Sequence, residues 1–249
     1  MIKVEKAVKY FGKQKVLDGL NLDIPDKKTM VIIGRSGCGK SVLLKHMAGL
    51  IKPDSGKIFV KGRDITKFDE GALDAIRVKF GMLFQGAALF DSLTVEENVG
   101  FALTRFSGKS PSQIEKIVKE KLALVGLKDV ENKKPAELSG GMRKRVGLAR
   151  AIAMDPEVIF YDEPTTGLDP IMSDVINDLI VDLKKMLKIT GVVVTHDMKS
   201  AYKVGDHIAM MYEGKIIEEG TPSEIQKTKN PVVKQFIKGS AVGPIHVLV

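Results

Sequence analysis

The feature that most constrains the fold of this chain is a glycine-rich loop between an apolar segment and a helix-like segment. Residues 34–41 fit the pattern G-x-x-x-x-G-K-[ST], directly after the apolar residues 30–33 and before the helix-like residues 42–47. Backbone N–H groups of such a loop converge on phosphate oxygens, and the dipole of the following helix adds positive charge at the same point. The sequence therefore predicts a strand, a phosphate-binding loop and a helix in succession.

Two residues at the end of this loop carry its chemistry. We expect Lys40 to reach the β- and γ-phosphates of a nucleoside triphosphate, and the Ser41 hydroxyl to ligate Mg²⁺. A glycine-rich turn without a ligand is the alternative, and the flanking strand and helix disfavour it. The residues of the loop predicted to contact the nucleotide are Gly34, Arg35, Ser36, Gly37, Cys38, Gly39, Lys40 and Ser41.

Composition bounds the class of protein. The chain has 249 residues, enough for one α/β core with a subdomain, and no apolar run approaches the ~20 residues that span a bilayer. The N-terminal residues 1–5 lack the apolar core of a signal peptide and predict a first strand. The single cysteine, Cys38, excludes an intramolecular disulfide and suits the cytoplasm. If the protein works at a membrane, we expect other chains to supply the spanning segments.

The net charge of +8 favours anionic partners such as nucleotide, acidic lipid headgroups or nucleic acid. The basic residues are scattered, and we interpret short clusters such as 133–134 and 143–145 mainly as solvated surface. The chain has no Trp and four Tyr, which leaves little material for stacking on bases. We therefore expect no nucleic-acid partner.

Strand-like and helix-like runs alternate along the chain, a pattern typical of an α/β protein with a largely parallel sheet. Residues 212–215 predict a turn into an antiparallel hairpin at one edge. Residues 95–155 carry helix signals only, including a helix that begins at Pro111 with Ser110 as its N-cap and Gln113 at its third position. The predicted strands are residues 16–24, 29–33, 57–60, 81–84, 158–161, 191–195 and 207–211.

A second cluster of chemistry follows the apolar residues 158–161. Asp162 and Glu163 stand at the carboxyl end of this predicted strand, where ligands bind in parallel sheets. We expect Asp162 to hold Mg²⁺ through its water shell and Glu163 to activate the attacking water, a role worth ~10²–10⁴-fold in rate. An acidic turn before Pro164 is the alternative. Upstream, Ser139 and two glycines precede a helix and could form another anion site.

Together these motifs resemble those of ATP-binding cassette (ABC) ATPase subunits. The phosphate loop, the Leu-Ser-Gly-Gly signature and the Asp-Glu pair stand in the family order. Gln85 stands where the family has its Q-loop glutamine, and residues 167–169 match its D-loop. His196 matches the switch histidine. Phe11 takes the place of the aromatic residue that stacks on adenine, with Tyr10 as the weaker alternative.

The resemblance covers nearly the whole chain and implies one ABC ATPase domain over residues 1–249. Its P-loop NTPase core, α/β with a largely parallel sheet and an antiparallel β edge, would take residues 1–94 and 156–230. Residues 95–155 would form a helical subdomain insertion, and residues 231–249 a C-terminal extension. The resemblance also implies ATP and Mg²⁺ as cofactors.

In the mechanism that the resemblance implies, two subunits face head to tail. Ser139, Gly140 and Gly141 of one subunit would close on the ATP held by the other, and Asp169 would lie at the dimer interface. The catalytic residues would be Glu163, His196 at the γ-phosphate, and Gln85, which would sense Mg²⁺ or water. The implied metal ligands are Ser41, Gln85 and Asp162.

A finer resemblance is to the ATPases of MCE-associated maintenance-of-lipid-asymmetry systems. Val42 follows Ser41 where many ABC ATPases have Thr, and Met142 follows the signature where Gln is commoner. Residues 235–245 are similar to the C-terminal extension of that subgroup, which can embrace the partner subunit. This resemblance implies that the chain powers phospholipid transport between membranes and is bound peripherally to the cytoplasmic side of the inner membrane. The implied partners are a second copy of the chain, a polytopic membrane permease, an MCE lipid-binding protein and a small regulatory subunit.

Two alternatives from other classes stay open. The chain could serve another ABC importer, for example one for amino acids, or it could be a non-transport ABC protein that acts on ribosomes or DNA. The latter usually carry two cassettes or a long coiled-coil insertion, and neither feature is visible in the sequence.

Overall fold

The computed structural model describes residues 1–245, and the chain divides into two compact units. The first unit comprises Met1–Phe68 and the chain from Val192 onward, and the second is Asp69–Gly191. The strands are β1 (Ile2–Phe11), β2 (Gln14–Ile24), β3 (Thr29–Ile33), β4 (Ser55–Val60), β5 (Arg63–Asp64), β6 (Phe80–Leu83), β7 (Val158–Asp162), β8 (Thr190–Thr195), β9 (His207–Tyr212) and β10 (Lys215–Gly220). The helices are α1 (Lys40–Met47), α2 (Glu70–Arg77), α3 (Val95–Phe106), α4 (Pro111–Leu124), α5 (Gly140–Ala151), α6 (Pro170–Leu187), α7 (Met198–Val204), α8 (Pro222–Gln226) and α9 (Pro231–Lys238).

The first unit contains two sheets. One follows the order β10-β9-β3-β8, with β3 parallel to β9 and with β9 and β10 joined as an antiparallel hairpin. This hairpin confirms the predicted turn over residues 212–215, because Lys215 pairs with Tyr212. All five residues of β3 are buried, as expected for a strand covered on both faces.

The second sheet of this unit has the order β2-β1-β4-β5, and all its pairings are antiparallel. The sequence predicted β2 and β4 as strands of a largely parallel core and did not separate them into a sheet of their own. The difference is visible in the burial pattern. Residues 20–24 of β2 alternate between buried and exposed, which is typical of an antiparallel sheet with one covered face.

The second unit pairs β6 with β7 in parallel, in a register that sets Leu83 opposite Tyr161. Both strands therefore end at the same edge, where Asp162 is the last residue of β7 and Gln85 follows β6. The helices α3, α4 and α5 lie between these strands in sequence. The predicted insertion, residues 95–155, falls inside this unit and contains no strand among its residues, all of which the structure describes.

The helix signals of the insertion are confirmed in detail. The Ser110 hydroxyl accepts a hydrogen bond from the Gln113 N–H, and the Gln113 side chain accepts one from the Ser110 N–H at 2.9 Å, which forms the capping box that the sequence predicts. Gly126 follows the helix with φ of +69°, a conformation that glycine adopts without strain. The helix α4 therefore begins and ends where its local sequence indicates.

The C-terminal extension folds back on α9. The Gln235 side chain accepts a 2.7 Å hydrogen bond from the Ile245 N–H and donates to the carbonyls of Ser240 and Ile245. The rest of the predicted extension, residues 246–249, lies outside the described residues. Across residues 1–245, the helices are all too short or too polar to cross a bilayer.

Candidate functional site

The phosphate loop of the first unit has three positions whose backbone favours glycine. Gly34, Gly37 and Gly39 have φ of +154°, +77° and +105°. A Cβ on Gly34 would lie 2.4 Å from the Met211 carbonyl oxygen, and one on Gly39 would lie 2.9 Å from the side chain of Val16. At Gly34 and Gly39 the loop thus passes too close to β9 and β2 for a residue with a side chain.

The helix that follows this loop has no side-chain cap. Gly39 is the N-cap of α1, and it has no side chain that could cap the helix. Every other α-helix within residues 1–245 is capped by the side chain of a Ser, Thr, Asp or Asn. The N–H groups of the first turn point out of a helix at its N-terminus, and together with the helix dipole they favour an anion at this point. The α1 N-terminus therefore fits a phosphate group.

Lys40 is held across the loop. Its ammonium group is buried and donates to the carbonyls of Gly34 at 2.7 Å and Arg35 at 3.0 Å. Arg35, Ser36 and Gly37 are exposed on the loop. Burial raises the pKa of the Cys38 thiol, so Cys38 stays protonated and suits the role of a small spacer.

The aromatic end of β1 lies in the same unit. Phe11 is 51% exposed, at the tip of the hairpin that joins β1 to β2. The backbone of Gly39 approaches Val16 of this hairpin, so the exposed ring stands on an element that touches the phosphate loop. A base could stack on this ring. Tyr10, the weaker candidate, is also exposed.

His196 follows β8, the strand next to β3 in the sheet. Its side chain is exposed, and Asp197 caps the helix α7 directly after it. The Asp197 N–H donates to the Thr195 hydroxyl at 3.0 Å, which fixes the turn that carries His196.

In the second unit, the two predicted carboxylates lie at the end of β7 and directly after it. Asp162 is buried at the end of the strand, and Glu163 is half-buried. Glu163 has φ of +48°, a left-handed conformation that costs free energy for a residue with a side chain. Its carboxylate accepts a 3.2 Å hydrogen bond from the Thr166 hydroxyl. Carboxylate and hydroxyl oxygens are the donors that Mg²⁺ prefers, so the chemistry of Asp162 and Ser41 fits this ion.

Gln85 is joined to the Asp162–Glu163 region by a residue that the sequence analysis missed. Lys144, in α5, donates to the carbonyls of Gln85 and Glu163, the latter at 3.3 Å. Burial lowers the pKa of its ammonium group to about 8, against the opposing charges of Glu163 and Asp162. The interpretation of residues 143–145 as solvated surface is wrong for Lys144, which is 5% exposed.

The periodicity of α5 was the available signal for this burial. Gly141, Lys144, Leu148 and Ala151 recur at helical spacing on one face, and all four are buried.

The signature segment forms the N-terminus of α5. The Ser139 hydroxyl caps the helix by accepting a 3.2 Å hydrogen bond from the Met142 N–H. A Cβ on Gly141 would lie 2.4 Å from the Met172 side chain, and one on Gly140 would lie 3.5 Å from Leu168. Asp169, predicted at a dimer interface, caps α6 through the N–H groups of the next turn. The signature and D-loop segments are thus packed together within the second unit.

Fold and motifs define a nucleotide-binding cassette, and comparison with known proteins names the family. Residues 17–166 match the family described as "ABC transporter", and the chain belongs to this family.

Two curated relatives cover almost the whole chain. The "Probable ribonucleotide transport ATP-binding protein mkl" of Mycobacterium leprae is 41% identical over 244 residues, 98% of this chain and 70% of that protein. The "Intermembrane phospholipid transport system ATP-binding protein MlaF" of Haemophilus influenzae is 38% identical over 246 residues, 99% of this chain and 93% of that protein.

A solved structure shows the same fold in a nucleotide-bound dimer. The dimeric post-hydrolysis state of the ATP-binding cassette MJ0796, bound to ADP and Pi, superposes with a TM-score of 0.82 at 33% identity. The match covers 89% of this chain and 99% of that one. The chain is therefore an ABC ATPase subunit, which hydrolyses ATP to power transport.

Proposed function

We propose that this ABC ATPase powers phospholipid transport between membranes, as a homodimer bound to a polytopic permease on the cytoplasmic side of the inner membrane. The observation that carries nucleotide binding is the α1 N-terminus, which follows a glycine-rich loop and has no side-chain cap.

The residues of the first unit bind and orient the nucleotide. The backbone N–H groups of residues 34–41 bind the phosphates, and the Lys40 ammonium moves from loop carbonyls to the β- and γ-phosphates. The exposed Phe11 ring stacks on adenine. His196 donates a hydrogen bond to the γ-phosphate and stabilises the charge that develops in the transition state.

The residues of the second unit carry the proton chemistry. Glu163 accepts a proton from the attacking water. Asp162 and the Gln85 side chain would hold Mg²⁺, for which the Ser41 hydroxyl of the first unit is also a proposed ligand. When bound, Mg²⁺ neutralises charge on the phosphate oxygens. Ser139, Gly140 and Gly141 act on the ATP bound by the partner copy, and Asp169 lies at the interface of the two copies.

The cargo proposal is supported by where the resemblance extends. MlaF is similar over 93% of its own length, and the match takes in 99% of this chain. The tail with its Gln235 contacts lies within that span. Met142 and the sequence after Ser41 support the same assignment. An MCE lipid-binding protein and a small regulatory subunit complete the proposed complex.

An affinity purification tests this assignment. The tagged chain is expressed in its native membranes, extracted in mild detergent and analysed for bound proteins, phospholipid and nucleic acid, with Lys40→Ala as a matched control for nucleotide-dependent assembly. We expect a permease, an MCE protein and enriched phospholipid. A permease without an MCE protein would instead assign the chain to another importer, and recovery of ribosomes or DNA would contradict a transport role.

A further inference from the structure

The second unit buries a lysine to which the proposed ATPase chemistry gives no role. Lys144 is 5% exposed, and its ammonium donates to two backbone carbonyls, those of Gln85 and Glu163. Burying an ammonium group costs several kcal/mol of hydration, and only hydrogen bonds and nearby negative charge offset this cost. A packed apolar residue would fill the space without that cost. We therefore expect the buried ammonium group to have a role that an apolar side chain could not fill.

One face of α5 holds the loop that follows β6. Lys144, Gly147 and Arg150 recur at three-residue spacing, which places them on one side of the helix. Arg150 donates to the carbonyls of Ala87 at 2.6 Å and Ala88 at 2.8 Å. A Cβ on Gly147 would lie 3.2 Å from Ala87, so the helix and the loop backbone are in close contact.

The loop backbone needs such support. Ala87 and Ala88 have φ of +62° and +47°, and both are residues with side chains in the left-handed region. Conformations of this kind persist when the surrounding contacts over-determine them. The donors of α5 bond to the carbonyls of Gln85, Ala87 and Ala88 in this segment.

The backbone of Glu163 is also fixed by hydrogen bonds. Its backbone is also left-handed, with φ of +48°, and its carbonyl accepts from the Thr166 N–H at 3.3 Å as well as from Lys144. The direction of the Glu163 side chain depends on this backbone conformation. Lys144 is thus bonded to the main chain of two residues to which the proposed function gives catalytic roles.

We propose that Lys144 is a positioning residue for ATP hydrolysis, whose ammonium ties the backbone of Gln85 to that of Glu163 and so fixes the general base. A displacement of the loop after β6 then moves the Glu163 carboxylate. This inference rests on the proposed role of Glu163. It adds to that role a direct link from the Q-loop to the base.

The test compares four variants of the chain under conditions in which the wild type hydrolyses ATP. Lys144→Met removes the donor and keeps the length of the side chain, and Lys144→Arg keeps a charged donor. Lys121→Met is the matched control, because Lys121 is 7% exposed in the same unit and pairs with Asp155 instead. Glu163→Gln tests the proposed base itself.

Lys144→Met should lower kcat at least ~10-fold while KM and the Kd for ATP change less than about threefold, because misplacing a base affects the reaction more than binding. Lys144→Arg should recover most of the loss, and Lys121→Met should keep the kcat of the wild type even where its Tm falls. If Lys144→Met does not fold, Lys144→Leu, which also removes the donor, takes its place with the same expectation.

Wild-type kcat in Lys144→Met, or an equal loss of kcat in Lys121→Met, would overturn the proposal. So would a loss in Lys144→Met that Lys144→Arg does not repair. Normal turnover in Glu163→Gln would instead overturn the proposed role of the base, so the two failures are distinguishable.

Discussion

The carboxylate of Asp54 accepts a 2.7 Å hydrogen bond from the backbone N–H of Tyr10, the residue before the exposed Phe11. The other oxygen of Asp54 accepts from the Lys9 ammonium at 2.9 Å, and these hydrogen bonds, first that of Lys9 and then that of Tyr10, lower the pKa of Asp54. A carboxylate on the turn before β4 therefore anchors the end of β1, where we propose that adenine stacks.

We expect Asp54→Ala to weaken ATP binding about threefold to tenfold. Without the anchor the aromatic residue is less ordered, and ordering it when adenine stacks costs binding free energy. Binding of inorganic tripolyphosphate, which has no base, should be unchanged. Titration of both ligands checks this, with Asp23→Ala on β2 as the control, since Asp23 lies at the opposite end of the sheet. An equal loss for both ligands would show that Asp54 acts on the phosphate loop instead.

Glu163→Gln should bind ATP as the wild type does and lose at least ~10²-fold in turnover, because the amide cannot accept the proton of the attacking water. The amide is nearly isosteric and can still accept from the Thr166 hydroxyl, so the fold should be preserved. Steady-state hydrolysis and nucleotide titration on the same preparation measure the two effects. Turnover near the wild-type rate would remove Glu163 from the role of base.

Lys40→Ala should act on binding itself. Its ammonium lies across the loop, bonded to the carbonyls of Gly34 and Arg35, so its removal takes away both a phosphate ligand and a support of the loop. We expect the Kd for ATP to rise at least ~10-fold, measured by nucleotide titration. Lys45→Ala, an exposed lysine of the same helix, is the control and should bind ATP normally. Unchanged affinity in Lys40→Ala would contradict the assignment of this loop.

The sequence predicted those elements that are specified by residues close together in the chain. The succession of strand, loop and helix around residues 34–41, the hairpin at residues 212–215 and the capping box of α4 depend on residues close together in the chain, and each was confirmed. The separate antiparallel sheet was not predicted, because a strand pattern does not reveal which strand is its partner.

The same distinction between local signals and long-range contacts applies to the candidate site. Residue types and order indicated the nucleotide chemistry, whereas the left-handed backbone of Glu163 and the burial of Lys144 arise from packing between segments distant in the chain. The charge of Lys144 suggested that its side chain is exposed to solvent, but tertiary contacts bury it.

His46 is buried in α1, where it is 1% exposed. Its Nδ1 lies 2.7 Å from the Val42 carbonyl and must donate to it, so in the neutral ring the proton-accepting atom is Nε2. Among the described residues, Nε2 has no hydrogen-bond partner. Burial is the main cause that lowers the pKa of His46 below its ordinary value.

This depressed pKa makes stability depend on pH in one direction. Below the ordinary pKa of about 6.5, the unfolded chain binds a proton at His46 that the folded chain does not bind, so the free energy of unfolding falls as the pH is lowered. His46→Gln removes this contribution, and its free energy of unfolding should change less than that of the wild type between about pH 7.5 and pH 5.5. Urea unfolding of both proteins across this range measures the difference, and the remaining titrating groups cancel because they are shared. Parallel pH curves for the two proteins would show that His46 does not titrate differently on unfolding.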